Sequence, residues 1–246
     1  MKAMVLAAGL GTRLRPLTDH RPKALVEIGG RTLLEFTLTR LRAFGFREVI
    51  INVHHFADMV LDFLKANNNF GMRIEVSREE VLLDTGGGLK KAGWFFLEDP
   101  SQIDEPFLLH NVDVISTIDF HRMLEQHRKT KALATLAVQQ RKTTRSLFFD
   151  EKFRFRGRAA GKGTPAAAQL PEMQTFAFTG IHTISPRLLS LVTEEGVFSI
   201  IDAYARLAGQ GEKILGFRAD EFYWRDLGKL NQVEQAAEDY KLKLFS

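Results

Sequence analysis

Apolar positions along this 246-residue chain follow two alternating periods. Short runs rich in Val, Ile, Leu and Phe read as strands: Lys2–Ala8, Glu48–Val53, Arg73–Ser77, Pro106–Val114, Ala132–Val138 and Thr175–Thr183. Between them the spacing changes. Thr32–Phe44 places Leu33, Leu34, Leu38, Leu41 and Phe44 on one helical face, and His55–Ala66 and Asp119–His127 also read as helices. Helices are predicted again over Pro186–Val192, Ser199–Ala208 and Lys229–Leu242. Asn67–Gly71 is a turn cluster, Leu147–Arg158 reads as a hairpin turning near Asp150–Lys152, and Gly161–Gln174 is loop-like. Strands alternating with helices predict an α/β fold, an open sheet flanked by helices. With no repeat and no linker-like stretch, the pattern predicts one domain over residues 1–246 and no C-terminal β-helix domain.

Composition narrows this picture without naming a reaction. Hydrophobic residues make up 45%, enough for one substantial core. No apolar run approaches the roughly 18 residues of a membrane span, and the N-terminus lacks the pattern of a secretory signal. The absence of cysteine excludes disulfides and cysteine-ligated zinc and makes a cytoplasmic location the default expectation. The formal net charge of +4 suits a small anionic substrate and is too scattered to argue for nucleic acid.

Candidate chemistry begins where the first strand ends, in AAGLGTRLRPLTDHRPKAL, Ala7–Leu25. Small residues at a strand end let a nucleotide approach the backbone. Gly9 and Gly11 can adopt positive φ and turn N–H groups toward phosphate oxygens. Arg13 and Lys23 supply positive charge that can follow separating phosphates, and Pro22 directs the approach of Lys23. An ordinary strand-to-helix turn would explain the glycines but not the Arg13, Pro16, Pro22, Lys23 series. The dinucleotide fingerprint fails because Leu14 stands where the third glycine belongs, and no P-loop motif is present.

The run G-x-G-T-R-L-x-P-L-T followed by P-K-A-L resembles the signature of the sugar-1-phosphate nucleotidylyltransferases, and a looser similarity extends over nearly the whole chain. The resemblance implies a Rossmann-like mixed, mostly parallel sheet flanked by helices. It also implies a reaction in which a sugar 1-phosphate attacks the α-phosphorus of a nucleoside triphosphate and pyrophosphate leaves. By the same resemblance Arg13 stabilises the leaving phosphates, Lys23 contacts phosphate near the reacting centre, and Ala7, Ala8, Gly9, Gly11 and Thr12 join them in binding nucleotide.

Transfer at a crowded anionic centre calls for a divalent ion, and Mg²⁺ takes few carboxylates together with phosphate and water. Asp113 ends the apolar strand FLLHNVDV, where ligands of open α/β sheets are expected. The resemblance makes Asp113 a metal ligand and adds Asp226 from the W-x-D-L-G segment Trp224–Gly228. Val112 departs from the small residue common before the aspartate in relatives, a change expected at the floor of the sugar pocket.

Base and sugar recognition are carried by weaker features. Three glycines in LDTGGGLKK stand directly before a helix, where flat backbone at Thr85, Gly86 and Gly87 can approach a base. The T-G-G-G form is similar to uridylyltransferases acting on N-acetylmuramic acid 1-phosphate, whereas related guanylyltransferases for mannose or heptose 1-phosphates more often have T-G-G-A. On the sugar side the resemblance implies Asn111, Gly180 and Lys162, with Lys152 as an alternative lysine. His54 and His55 read as solvent-facing or near the base, and His110 as core. No zinc spacing is present.

These readings predict a Mg²⁺-dependent transferase with a nucleoside triphosphate and a sugar 1-phosphate as partners, no nucleic acid and no membrane. The oligomeric state stays open. UTP is slightly favoured over GTP. A phosphocholine cytidylyltransferase shares the N-terminal motif but tends to lack T-G-G. A silent nucleotide-binding regulator has no chemical need for Arg13, Lys23, Asp113 and Asp226 together.

Overall fold

The computed structural model describes residues 1–159 and 173–245. The described chain divides into two compact units, one formed by residues 1–83, 109–118 and 222–246 and the other by residues 84–108 and 119–221. The chain passes from one to the other after residues 83, 108, 118 and 221, so neither unit is a contiguous stretch of sequence.

In the first unit the apolar strand Lys2–Leu6 lies between Glu48–Val53 and the strand Phe107–Asn111, of which residues 109–111 belong to this unit, with Arg73–Arg78 beyond Glu48–Val53. Lys2–Leu6 pairs with Glu48–Val53, and Glu48–Val53 with Arg73–Arg78, both in parallel. Val49, Ile50 and Ile51 are fully buried, the near-continuous apolar run that a strand covered on both faces requires. Helix Leu33–Ala43 buries Leu33, Leu34, Phe36, Leu38 and Leu41, and Thr32 caps it by accepting the N–H of Glu35 at 3.1 Å. Two short ribbons complete the unit: Glu27–Ile28 with Arg31–Thr32, and Val114–Ser116 with Trp224–Asp226, both antiparallel.

In the second unit Gln174–Ile184 pairs antiparallel with both Ser146–Phe149 and Ala134–Gln139, and Ile214–Arg218 joins Ala134–Gln139 in parallel. Ser146–Phe149 and Phe155–Arg158 form the expected hairpin. Its turn is tied by Asp150, which accepts the N–H groups of Lys152 and Arg154 at 3.0 and 2.9 Å. Helix Ile200–Gly209 starts at Ser199, whose hydroxyl caps it. The fold is α/β, a mixed sheet flanked by helices, as the strand and helix periods predicted. No helix among the described residues is long and apolar enough to cross a membrane.

Three expectations need correction. The predicted strand Pro106–Val114 is two strands, Phe107–Asn111 and Val114–Ser116, broken at Val112–Asp113. Ile214–Arg218 is a strand that the period did not reveal, because four successive residues are buried without alternation and Gly216 interrupts the apolar run. The triple glycine lies inside helix Asp84–Ala92, not before it, and all three glycines are buried. A Cβ at Gly86 would strike the ring of Phe198 and come within 2.9 Å of the Phe198 carbonyl, which accepts the Gly86 N–H. Gly86→Ala is therefore expected to destabilise the protein by about 1–3 kcal/mol, read as a lower midpoint in urea unfolding.

Candidate active site

The run after the first strand is shaped by a few local bonds. Gly11 adopts φ +65° as the residue before a short helical turn, Thr12–Leu14. Buried Thr18 donates its hydroxyl to the Gly11 carbonyl at 2.9 Å and so holds the loop from behind. A Cβ at Gly11 would lie 2.9 Å from Thr18 Cγ2 and 3.2 Å from Lys23 Cβ. Gly11→Ala combines that crowding with an unfavourable φ, and a loss of about 1–2 kcal/mol is expected in chemical denaturation. Gly9 is different from the expectation: it is not among the positive-φ residues, and nothing lies within 4 Å of where its Cβ would be. Its lack of a side chain leaves the approach to the backbone open. Ala7 and Ala8 are buried, and the Ala7 N–H is already given to Asn52 Oδ1 at 2.7 Å.

Lys23 opens a second short turn, Lys23–Leu25, after extended Pro22. Its ammonium is paired with the carboxylate of Asp113, Nζ to Oδ2, with side chains only 10% and 18% exposed. Sequence positions 90 apart thus form one ion pair. Arg13 is exposed, and its guanidinium flanks Gly228. A Cβ at Gly228 would lie 2.8 Å from both Arg13 Nη2 and Asp226 Oδ1, so the glycine of the W-R-D-L-G segment is the space these two side chains occupy. Asp226 Oδ1 accepts the Gly228 N–H at 2.7 Å.

The two aspartates are brought together by the backbone. Asp226 stands opposite Val114 in the antiparallel ribbon, and the next N–H, that of Leu227, donates to the Asp113 carbonyl at 2.8 Å. Among the described residues no group of three His, Cys, Asp or Glu side chains is arranged to hold a metal. The chemistry of this donor set, two carboxylates on backbone segments bonded side by side, fits Mg²⁺, which is commonly held by one or two carboxylates and completes its shell with phosphate oxygens and water.

His110 is core, as expected. Burial pushes its pKa down to about 4, helped by repulsion from Arg40 and opposed by the Asn111 carbonyl and by Asp113. It is therefore neutral at pH 7. His54 is half-buried and bonds the Glu79 carbonyl through Nδ1 at 2.8 Å, and His55 is exposed. Val112 is buried, with its N–H on the Leu6 carbonyl at 3.1 Å, and Asn111 is half-buried at the end of its strand.

In the second unit, the Thr85 hydroxyl accepts the Ile200 N–H at 3.0 Å, and the Gly86 and Gly87 amides both point at the Phe198 carbonyl, 2.9 and 3.4 Å away. These groups are internally engaged, so the Gly86 and Gly87 N–H groups are already used within this unit. Gly180 has φ +82° where the register between Gln174–Ile184 and Ala134–Gln139 shifts, a bulge for which glycine is suited. Lys162 lies outside the described residues. Lys152 is exposed in the hairpin turn.

Sequence reasoning missed an anchoring network behind Asp226. Arg225 pairs with nearly buried Asp239 of helix Leu230–Lys241 at 2.6 Å, and Tyr223 donates its hydroxyl to the same carboxylate at 2.7 Å. Burial and Asp239 push the Tyr223 phenol up to about 12, against the pull of Arg225. The alternation of Tyr223 and Arg225 around Trp224 was the available signal, since it places two polar groups on one face of a strand.

Residues 2–147 match the family model described as nucleotidyl transferase. The chain is 36% identical over 247 aligned positions to the N-acetylmuramate alpha-1-phosphate uridylyltransferase of Caulobacter vibrioides, covering 96% of this chain and 95% of that protein. It is 28% identical to the mannose-1-phosphate guanyltransferase of Yarrowia lipolytica, over 93% of this chain and 61% of that longer protein. A solved UDP-glucose pyrophosphorylase, determined with UDP-glucose, superimposes with a TM-score of 0.79 at 17% identity, covering 98% of both chains, which shows a shared fold.

Proposed function

Because the chain belongs to the nucleotidyl transferase family, we propose that it transfers a nucleoside monophosphate from a nucleoside triphosphate to a sugar 1-phosphate, with Mg²⁺. UTP is the favoured donor and N-acetylmuramate 1-phosphate the first acceptor to try. The single observation that carries this reading is the set Arg13, Lys23, Asp113 and Asp226, with Lys23 bonded to Asp113 and packed against Gly11, and Arg13 beside Asp226 at Gly228. An ordinary turn has no use for four charges placed this way.

In this reading a sugar-phosphate oxygen attacks the α-phosphorus, the bond to the bridging β-oxygen breaks, and pyrophosphate leaves with that electron pair. The backbone of Ala8–Gly11 lies against the nucleotide, with Gly9 as the open approach and Thr12 at its rim. Arg13 follows the leaving β- and γ-phosphates with positive charge where negative charge accumulates. Lys23 holds the α-phosphate oxygens near the reacting centre. Asp113 and Asp226 would hold Mg²⁺, which when bound offsets phosphate charge and aligns oxygens. Thr85–Gly87 supply flat backbone for the base, and Asn111, Gly180 and Lys162 the sugar side. The four chain crossings between the two units support treating residues 1–246 as one nucleotidyltransferase domain.

The experiment is a panel of four nucleoside triphosphates against N-acetylmuramate, glucose, mannose and heptose 1-phosphates and choline phosphate, read by pyrophosphate release. UTP with N-acetylmuramate 1-phosphate is expected to lead. GTP with mannose 1-phosphate leading would favour the guanylyl reading, and nucleotide binding without any turnover would favour a silent regulator.

A further inference from the structure

Glu79 is a buried acidic residue that the reaction scheme does not use, and its bonds are unusually complete. It is 4% exposed, and the Asn52 beside it is 2% exposed. Asn52 Nδ2 donates to Glu79 Oε1 at 2.6 Å, while Asn52 Oδ1 accepts the Ala7 N–H at 2.7 Å. Glu79 Oε2 accepts the Leu83 N–H at 2.9 Å. Glu79 is itself fixed by its own backbone, whose N–H reaches the Val53 carbonyl at 2.8 Å and whose carbonyl is bonded by His54 Nδ1.

The two ends of this chain of bonds are backbone N–H groups, which can only donate. The side chains between them must therefore present an acceptor at each end and a donor facing an acceptor in the middle. One amide and one carboxylate meet that condition. Two amides bring two NH₂ groups together, and two carboxylates bring two acceptor oxygens together, in both cases in a buried place where a mispaired polar group is costly.

We propose that Asn52 and Glu79 are a positioning pair that fixes two backbone points of the first unit simultaneously, Ala7 at the root of the nucleotide-binding run and Leu83. Ala7 begins the run that continues to Gly11, and Leu83 is followed directly by Asp84 and the Thr85–Gly87 segment. The pair touches no substrate in this scheme. It acts by fixing Ala7 directly after strand Lys2–Leu6 and Leu83 directly before helix Asp84–Ala92. This inference rests on the nucleotide-binding reading given above, since it assigns the pair a role in that site.

The parity of donors and acceptors supplies the test. Glu79→Gln and Asn52→Asp each break the match, whereas the double variant N52D/E79Q restores it with the polarity of the middle bond reversed. Hydrogen exchange by mass spectrometry on peptides covering Ala7–Gly9 and Leu83–Thr85, and UTP affinity by calorimetry, are measured on all three variants and the parent chain. Each single change is expected to speed exchange in both segments and to weaken UTP binding about tenfold or more, and the double change to return affinity to within about threefold of the parent. If a single variant does not fold, a folded double variant with near-parental exchange supports the pair equally. A double variant as impaired as the worse single one, or single variants with unchanged exchange, would overturn it. A parent chain that binds no UTP while exchange follows the parity pattern would count against UTP as the nucleotide and leave the pairing itself supported.

Discussion

Asp113→Asn is expected to reduce pyrophosphate release by about a thousandfold or more, because it removes the charge of a proposed Mg²⁺ ligand while keeping its shape. The same change strips the nearly buried Lys23 ammonium of its partner. A buried cation without its counter-ion is costly, so a lower unfolding midpoint is also expected. The two effects are separated by measuring Mn²⁺ binding and turnover at a temperature where far-UV circular dichroism shows the variant folded. A folded variant with parental turnover would show that Asp113 does not hold the metal.

Lys23→Met should give a different signature. Methionine keeps most of the length of the aliphatic stem and deletes the charge. Turnover is expected to fall about a hundredfold to a thousandfold, the range seen when one positioned donor to a developing anion is removed. Mn²⁺ binding in the absence of nucleotide should be retained or tightened, because in the free protein the Lys23 ammonium occupies Asp113. Weaker Mn²⁺ binding in Lys23→Met would instead mean that Lys23 is needed to hold Asp113 in place. The pair of variants therefore distinguishes a metal ligand from a phosphate contact, although both are members of one ion pair.

Much of this site was readable from the sequence because its elements are local. Gly11 sits at a turn that needs positive φ, and Arg13, Pro22 and Lys23 follow within a few residues, so spacing alone exposed them. The strands Lys2–Leu6 and Glu48–Val53 are buried on both sides and show as apolar runs. What escaped depends on partners distant in sequence. The break at Val112–Asp113 arises because Val114–Ser116 pairs with Trp224–Asp226, a contact that no local period encodes. The glycines at 86 and 87 look like a loop until Phe198 is seen against them. Asn52 and Glu79 were polar residues adjoining or inside apolar strands, and their meaning appeared only once Ala7 and Leu83 stood at either end.

The central claim is nucleotidyl transfer, with bond cleavage between the α- and β-phosphates. The most direct measurement is ³¹P nuclear magnetic resonance of the chain mixed with UTP, Mg²⁺ and N-acetylmuramate 1-phosphate. Equal growth of a sugar-linked diphosphate and of pyrophosphate, absent when EDTA is added, is the predicted result. Release of orthophosphate, or an unchanged spectrum with this and every other donor and acceptor of the panel, would contradict it.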